Sequence, residues 1–381
     1  MVIGPSAGRA QGEEQGEEQG EQLGQQLVVD TDVHEYFKGF RSLAPYLPPV
    51  HRQPVEEWGF SRIDTGFPYT SGSVTRTWQT RTGWRPQDDG ELGSDLDVMR
   101  RNLFDELGID IAILNNLQLP VAFMRGSHEL GMAMATAYNT QLVERWLEPE
   151  PRLRGSLIVS LDNPRHAVGE IERLGNHPQV VQVCLPTSVD IQFGEPRLRP
   201  IWEAMVHHRL TLGIHHGYGT RTIFGYPRQH IEWKALAPSH AMMAQLASLT
   251  FNGVFDAFPD LKVVAMEAGF SWLPYFMSRL DQQYVSFRDQ VPWVKRRPSD
   301  HLRAHVALTT QPMEPMTARQ LTTLVEDCGA AEMLVFSSDY PHYDSDVMDE
   351  ALPHGIAGDL RARIMGRNAL RAYPKLEAPP A

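Results

Sequence analysis

The 381-residue sequence predicts an α/β fold, a (β/α)8 TIM barrel, on three observations. From residue 27 onward, eight short apolar runs alternate with helical segments or insertions that contain one, as in a parallel sheet with helical crossovers. Eight such units close into a barrel. Four of the runs end in a carboxylate or an imidazole, at Asp32-Val-His34, His215, Glu267 and Asp339. An open doubly wound sheet is the alternative, but no glycine-rich phosphate turn follows the first run.

The predicted elements follow one another regularly from Ser94. Helical spacing over residues 95–107 stops at Gly108, and the β-branched run 109–114 follows as the second strand, after a first strand at 26–33. Later strands are predicted at 155–161, 180–185, 210–215, 261–267, 306–310 and 332–338. Later helices are predicted at 128–147, 164–174, 197–207, 239–258, 272–288, 317–328 and 357–373.

The ends of the chain and one long segment stand apart from this alternation. Residues 1–26 carry a Gln/Glu/Gly-rich tract that cannot bury enough apolar area to offset its chain entropy, which predicts a disordered tail. Residues 27–375 form the barrel domain, and 376–381 form a short tail. The segment 35–93, rich in Pro, Gly, Arg and aromatics, is predicted to be an insertion over the barrel mouth, with peripheral packing or a partner contact as the alternative.

Composition restricts the class of partner. A formal net charge of -12 and a pI near 5.7 argue against nucleic acid and anionic membranes, because a polyanion would be repelled. No apolar run approaches the roughly 20 residues that span a bilayer. The two cysteines, Cys184 and Cys328, lack metal-type spacing and are predicted to be reduced, as in a cytoplasmic protein. We expect a small-molecule substrate, and self-association into a dimer through aromatics of the insertion.

The strand ends carry the histidines that could bind a metal. Asp32 and His34 stand two residues apart, so both side chains point to one face, as joint binding of a cation requires. His215 is the candidate on the fifth strand, and His216 is expected to pack outward or to hydrogen-bond in the loop because neighbours on a strand face opposite sides. His128 and His240, with His230, are further pocket candidates.

Two strand ends carry candidate carboxylates. Glu267 follows an apolar run, where a buried charge requires a metal or an ion pair, and Arg279 is the alternative partner. Asp339 is followed by Pro341, which delays any helix that the carboxylate could cap. As a metal ligand, Asp339 can also accept the proton of bound water, with Glu267 or His342 assisting.

Longer motifs around these residues resemble the amidohydrolase-2 family, which includes the aminocarboxymuconate-semialdehyde decarboxylase group. The motifs are Leu212-Gly-Ile-His215-x-Gly217, Glu267-x-Gly269-x-x-Trp272-x-Pro274, Ser338-Asp339-Tyr-Pro341-His342 and Ile364-Met-Gly-Arg-Asn368. The resemblance runs from about Val28 to Pro374. It implies a TIM barrel with a divalent metal bound by Asp32, His34, His215 and Asp339.

Two positions depart from the family's pattern. The family's first motif is His-x-His or Glu-x-His, whereas this chain has Asp32 at the first position. The family's decarboxylases have a histidine on the sixth strand, whereas this chain has Glu267, which becomes a candidate ligand as well. Both changes add hard oxygen ligands and shift the expected metal from zinc towards manganese or iron.

Three enzymatic hypotheses follow. The leading one is metal-dependent hydrolysis of a C–N or C–O bond in a small substrate, with Asp339 as proton acceptor. The alternative is non-oxidative decarboxylation of an aromatic or unsaturated acid, which requires a cationic clamp such as Arg62, Arg76 or Arg81. The third is a dinuclear iron or manganese oxygenase in which Glu267 binds a second metal. A barrel without metal that serves as a partner subunit is the non-enzymatic hypothesis.

Overall fold

The computed structural model describes residues 27–37, 40–58, 84, 93–116, 128–187, 191–217, 229–342, 344–348 and 351–376. Eight parallel strands follow one another in chain order in a single sheet, which confirms the predicted TIM barrel. The strands are β1 (Val29–Val33), β2 (Ile111–Leu114), β3 (Leu153–Leu157), β4 (Val180–Pro186), β5 (Thr211–His215), β6 (Val263–Met266), β7 (Val306–Thr309) and β8 (Leu334–Val335).

The barrel closes where the chain after β8 returns to β1. The Thr31 amide donates to the Phe336 carbonyl at 3.0 Å, and the His34 amide donates to the Tyr340 carbonyl at 2.8 Å. β8 is shorter than the predicted strand 332–338 because the Phe336 amide donates to the Ile364 carbonyl and the Ser338 amide donates to Asp30 Oδ1 instead of to a neighbouring strand. The chain then turns through a left-handed backbone conformation at Asp339, with φ of 59°, beside β1.

Most helices occupy the positions that the sequence predicts, but two were not predicted and the start of a third differs. They are α1 (Pro49–Trp58), α2 (Leu96–Arg100), α3 (His128–Leu142), α4 (Pro164–Leu174), α5 (Arg199–His207), α6 (His230–Phe251), α7 (Val254–Ala257), α8 (Leu273–Phe287), α9 (Pro298–His305), α10 (Ala318–Cys328), α11 (Gly358–Ala362) and α12 (Asn368–Ala372). Short π-helical turns extend α2 and α3 and join α11 to α12. The two helices that were not predicted are α1 and α9. The prediction that α6 begins at residue 239 was wrong, because the helix includes Pro238 in its interior and begins nine residues earlier, at His230.

Two apolar clusters hold the barrel together. One lies between the strands and the helices and includes Leu114, Leu212 and Leu308. The other draws on alternate strand positions and on residues after β8 such as Tyr373. Because the Thr211 hydroxyl at the start of β5 donates to the carbonyl of a residue in α12, this C-terminal segment covers the end of the barrel where the strands begin.

A polar network fills the barrel interior beneath the opposite end, where the strands finish. The side-chain carbonyl of Asn115, just after β2, accepts hydrogen bonds from Ser156 on β3 and Gln182 on β4, both at 2.7 Å. Gly213 on β5 leaves room for this network, since a Cβ there would lie 2.4 Å from the Gln182 side chain. The network fixes Asn115, which in turn contacts the candidate site.

The predicted insertion is described in part. A 3-10 turn at Phe40–Tyr46 contributes Leu43 to the outer apolar cluster, α1 contributes Val55, and Leu47 joins them from the connection between the two. Trp84 packs on Tyr340 with ring centroids 4.8 Å apart. The tail 1–26 and residues 377–381 lie outside the described residues, so the predicted domain limits stay predictions. No helix in the described ranges is long and apolar enough to cross a membrane.

Candidate metal centre

The five residues predicted as metal ligands come together at the barrel mouth. Asp32 and His34 lie at the end of β1, His215 ends β5, Glu267 follows β6, and Asp339 follows β8. All five side chains are buried, with no more than 4% of their surface exposed. Since five ionisable side chains are costly to bury in one place, the chain must compensate them with hydrogen bonds, ion pairs or a bound cation.

The first imidazole, His34, is oriented by the backbone behind it. Its Nδ1 lies 2.7 Å from the carbonyl of Asn115, which can only accept, so Nδ1 donates. Its Nε2 lies 2.7 Å from Asp339 Oδ1 and 3.7 Å from Asp32 Oδ1, which are acceptors as well, so Nε2 also carries a proton, which a bound metal ion would replace. Burial lowers the pKa of His34, but Asp32 and Asp339 outweigh it and raise the pKa to about 10. Asp32 Oδ1 also accepts from Asn115 Nδ2 at 2.9 Å. Such outer partners fix the ring orientation of metal-binding histidines.

The second imidazole, His215, repeats this arrangement on the other side of Asp32. Its Nδ1 lies 2.6 Å from the His216 carbonyl and donates to it, so its Nε2 is turned into the site. That Nε2 lies 3.4 Å from Asp32 Oδ2 and 3.5 Å from Glu267 Oε2, and it is buried without a hydrogen-bond partner among the described residues. A ring nitrogen at this distance from two carboxylate oxygens is spaced from them as one ligand of a metal ion is from the others.

Asp339 contacts both histidines on its side of the site. Its Oδ1 lies 2.7 Å from His342 Nδ1 as well as from His34 Nε2, and its Oδ2 is buried without a hydrogen-bond partner in the described parts of the chain. His342 Nε2 contacts the Tyr36 hydroxyl at 2.8 Å. Burial raises the pKa of Asp339, but the facing His342 and His34 outweigh it and hold the pKa below its ordinary value. Asp339 is therefore ionised near neutral pH.

Glu267 is held by an ion pair on one oxygen and faces imidazoles on the other. Lys234 of α6 contacts Oε1, and His216 Nε2 lies 2.6 Å from Oε2. Burial raises the pKa of Glu267, but His216 and Lys234 lower it well below its usual value. The predicted alternative partner, Arg279, instead donates to a glutamine of its own helix. A φ of 49° at Glu267 matches the left-handed conformation of Asp339, and such strain is characteristic of functional sites.

These residues fit a divalent metal ion. Groups of three ligand atoms lie within 4.8 Å of one another, in four sets that share members: Asp32, His34 and His215; His34, Asp339 and His342; His215, His216 and Glu267; Glu267, Asp339 and Asp344. Two buried ligand atoms, His215 Nε2 and Asp339 Oδ2, have no hydrogen-bond partner among the described residues. Imidazole nitrogens combined with several carboxylates suit manganese or iron at least as well as zinc.

The structure adds residues to the site that the sequence analysis did not select. His216 lies beyond the end of β5, where strand alternation no longer applies, and it contacts Glu267 instead of packing outward. Lys234 stands 33 residues from Glu267 on a helix whose start was misplaced, and Tyr36 reaches His342 from the first loop. Of the further pocket candidates, His240 is exposed. The side chains of His128 and His230, and Arg62, Arg76 and Arg81, lie outside the described residues.

Solved structures share this fold. An amidohydrolase from Mycobacterium avium subsp. paratuberculosis K-10 superimposes with a TM-score of 0.67 and 20% sequence identity, covering 91% of this chain and 98% of the other. A 5-carboxyvanillate decarboxylase from Sphingomonas paucimobilis gives 0.65 and 21%, covering 91% and 99%. A dihydroxybenzoic acid decarboxylase from Polaromonas sp. JS666, with bound manganese and the inhibitor 2-nitroresorcinol, gives 0.64 and 19%, covering 93% and 98%.

At these identities the structural similarity shows the fold, and the sequence itself shows the family. No curated protein matches the chain. The sequence model of the amidohydrolase family matches residues 29–375, which include the whole barrel and all five predicted ligands. The match agrees with the resemblance seen in the sequence motifs, and the chain belongs to the amidohydrolase-2 family.

Proposed function

We propose that the protein is a divalent-metal-dependent, non-oxidative decarboxylase of a small aromatic or unsaturated carboxylic acid. The observation that carries the proposal is the set of buried Asp32, His34, His215 and Asp339, whose ligand atoms converge at the barrel mouth beside the ammonium group of Lys234. The fold shared with decarboxylases of hydroxylated benzoic acids supports this reaction over hydrolysis, the leading sequence hypothesis.

The proposed ligands of the metal are Asp32, His34, His215 and Asp339, with Glu267 as a further oxygen ligand. A divalent ion held by them supplies Lewis-acid polarisation of an oxygen and neutralises negative charge in the substrate. Asn115 and the His216 carbonyl hold the two imidazoles with Nε2 turned inward. These outer contacts prepare the site before the substrate arrives.

Lys234 is suited to bind an anionic substrate. Its ammonium group contacts Glu267 and lies 3.7 Å from Asp344, while 33% of its side chain remains exposed. Burial lowers the pKa of Lys234, but Glu267 and Asp344 outweigh it and raise the pKa above its ordinary value, so the side chain stays charged. A carboxylate entering the mouth would meet this positive charge beside the metal ligands.

Decarboxylation needs a proton at the carbon that loses the carboxylate. The bond between that carbon and the carboxyl carbon breaks, CO2 leaves, and the electron pair that stays on the carbon takes up one proton. The low pKa of Asp339 makes it a poor donor. His342, which lies between Asp339 and the Tyr36 hydroxyl at 2.7 and 2.8 Å, is positioned to deliver the proton and to be recharged through Tyr36.

Hydrolysis is the second candidate, and one observation favours it. Asp339 is buried and ionised, and its Oδ2 has no hydrogen-bond partner among the described residues, which are the properties of a group that accepts a proton from water. In that reaction the substrate would be a small ester, lactone or amide, and Asp339 would act as the general base.

A substrate screen distinguishes the two reactions. Manganese-loaded protein is incubated with 2,6-dihydroxybenzoate, 5-carboxyvanillate and related aromatic acids, and in parallel with esters, lactones and amides, and both CO2 and organic products are measured. We expect CO2 release with at least one aromatic acid and none after chelation or in a His34→Ala variant. Metal-dependent turnover of only the esters, lactones or amides would contradict decarboxylation and support the second candidate.

A further inference from the structure

Asp30, two residues before Asp32 on β1, is a completely buried carboxyl group to which the proposed function assigns no role. A buried carboxyl group is costly unless hydrogen-bond donors compensate it. Among the described residues, three donors contact its side chain, and they belong to Asp32 and Ser338. Ser338 directly precedes Asp339. Asp30 is therefore held between the two chain segments that carry two of the proposed metal ligands.

The first of these segments is the irregular end of β1. The register of β1 against β2 shifts between Asp30 and Val33, and within this shift the Asp32 amide donates to Asp30 Oδ1 at 3.2 Å. The Asp32 carbonyl accepts from the Asp339 amide at 3.1 Å. The backbone of Asp32 is thus bound on one side by Asp30 and on the other by the chain that follows β8.

The second segment is the turn that leads into Asp339. The Ser338 amide donates at 2.9 Å to Asp30 Oδ1, the same oxygen that accepts from the Asp32 amide. The Ser338 hydroxyl donates to Asp30 Oδ2. Because one carboxyl group binds the backbone of both segments, it fixes the end of β1 relative to the chain that leaves β8.

The Ser338 hydroxyl also supports the left-handed conformation of Asp339. Its oxygen accepts from the Tyr340 amide at 3.1 Å, a contact that spans Asp339, whose φ is 59°. A positive φ in such a residue persists only where the surrounding structure holds it. Since the hydroxyl donates its proton to Asp30, its lone pairs remain for Tyr340. In this turn Asp339 Oδ1 lies 2.7 Å from His34 Nε2.

We propose that Asp30 is a positioning residue that holds Asp32 and Asp339 in the arrangement in which they bind the metal. It acts through two backbone amides and the Ser338 hydroxyl, and it does not itself contact the metal or the substrate. The inference rests on the metal binding of the proposed function. It does not depend on whether the reaction is decarboxylation or hydrolysis.

The hydrogen bonds of Asp30 predict which substitutions preserve the arrangement. In Asp30→Asn, the side-chain oxygen can accept from both backbone amides, and the side-chain nitrogen can donate to Ser338 Oγ. In Asp30→Ala, all three donors lose their acceptor, and the two segments are no longer joined. Ser338→Ala has an intermediate effect, because it removes the hydroxyl contacts and leaves the amide bound to Asp30 Oδ1.

Manganese affinity tests the inference, measured from the electron paramagnetic resonance signal of free Mn²⁺ during a titration. We expect the affinity to fall by about 10–100-fold in Asp30→Ala, the range for residues that orient metal ligands, to fall less in Ser338→Ala, and to stay close to the wild type in Asp30→Asn. The Tm of each variant without metal is measured in parallel.

Asp281→Ala is the matched control. Asp281 on α8 accepts from the amide of Ser299 on α9 at 2.9 Å and from its hydroxyl at 2.7 Å, so it makes the same pair of contacts with a serine between two helices. We expect Asp281→Ala to lower the Tm and to leave the manganese affinity unchanged. A purely structural role of Asp30 predicts instead that affinity follows Tm in both alanine variants.

The outcomes separate this inference from the proposed function. Wild-type affinity in folded Asp30→Ala, an equal loss in Asp281→Ala, or an affinity of Asp30→Asn as low as that of Asp30→Ala would each contradict the positioning role. If Asp30→Ala does not fold, wild-type affinity in Ser338→Ala contradicts it. A wild type that binds manganese but releases no CO2 from any aromatic acid would contradict decarboxylation alone. Folded wild type that binds no manganese would contradict both proposals.

Discussion

The buried ionisable groups at the two ends of the barrel differ in whether they have hydrogen-bond or ion-pair partners. Where the strands begin, Glu150 is buried but completely paired, with Arg100 at 2.8 Å on one oxygen and Arg152 at 2.8 Å on the other. Where the strands finish, His215 Nε2 and Asp339 Oδ2 are buried with no hydrogen-bond partner in the described structure. Glu150 is therefore compensated without any ligand, whereas His215 Nε2 and Asp339 Oδ2 are not.

Strained backbone is more frequent at the mouth. Three described residues other than glycine have a positive φ: Glu267 and Asp339 lie at the mouth, and Arg209, before β5, lies at the opposite end. Glu267 and Asp339 follow their strands in left-handed conformations, which cost roughly 1–2 kcal/mol per residue for a side chain other than glycine. Such strain persists only where the surrounding structure holds it, and it concentrates at functional sites. In a TIM barrel the end where the strands begin contributes to stability, and the mouth carries out the chemistry. In this chain Glu150 belongs to the first end, and His215 and Asp339 belong to the mouth.

Replacing an aspartate by asparagine at each end of the barrel should give the largest difference in activity. Asp32→Asn at the mouth should lower kcat/KM by more than about 100-fold, because even residues that only orient a metal ligand contribute about 10–100-fold. Asp110→Asn is the matched control at the opposite end, where Asp110 accepts a hydrogen bond from the Val28 amide at 2.8 Å. Activity of Asp110→Asn should stay close to that of the wild type. Equal losses in both variants would remove the contrast between the two ends.

Removing the metal should destabilise the protein only because the ion bound at the mouth is lost. A ligand that binds only the folded state contributes about 2.7 kcal/mol when its concentration is 100 times its dissociation constant. We expect chelation to lower the Tm of the wild type by several degrees and to leave the Tm of Asp32→Asn unchanged. A Tm of the wild type that is insensitive to chelation and to added manganese would show that the mouth is stable without an ion.

Asn115→Ala tests the support beneath the metal ligands. The side chain of Asn115 donates to Asp32 Oδ1 and accepts from Ser156 and Gln182, so its loss frees Asp32 and leaves two buried donors without their acceptor. We expect metal affinity to fall by about 10–100-fold, with a loss of about 1–3 kcal/mol in the free energy of unfolding. Wild-type affinity for manganese in the folded variant would mean that Asn115 does not orient Asp32.

Glu150→Gln should give the smallest effect, and one that depends on pH. Burial raises the pKa of Glu150, but Arg152 and Arg100 outweigh it and lower the pKa to about 2. Its stabilising contribution is therefore present above the unfolded pKa of 4.5 and is lost as the pH falls towards 2. Because both arginines are partly exposed, we expect a contribution of about 1–2 kcal/mol at pH 7.

Urea unfolding of wild type and Glu150→Gln at several pH values between 7 and 3 measures this contribution. The difference in the free energy of unfolding should shrink continuously below pH 4.5, while metal content at pH 7 should be equal in the two proteins. A difference that does not change with pH would mean that the ion pairs of Glu150 do not stabilise the fold.

The sequence was sufficient to predict the barrel and the five residues at the strand ends. Asp32, His34, His215, Glu267 and Asp339 each follow an apolar run, so the period of the strand and the common direction of parallel strands predict where they meet. That they meet at the mouth is confirmed by their contacts, while their role as ligands stays a prediction.

The other residues of the site could not be predicted from local sequence patterns. Lys234 reaches Glu267 from a helix that continues through Pro238, whereas the sequence pattern placed the helix start after that proline. His216 enters the site because β5 ends one residue earlier. Tyr36 lies in a loop, and its position is set by its contact with His342. Each of these contacts is decided by tertiary packing, to which sequence periodicity is insensitive.

The most direct test of the central claim is anomalous X-ray diffraction from crystals of manganese-saturated protein. The account predicts anomalous density at the mouth, within bonding distance of Asp32 and both His34 Nε2 and His215 Nε2. Crystals of active protein with no anomalous density at the mouth would contradict the claim that these buried groups bind a metal.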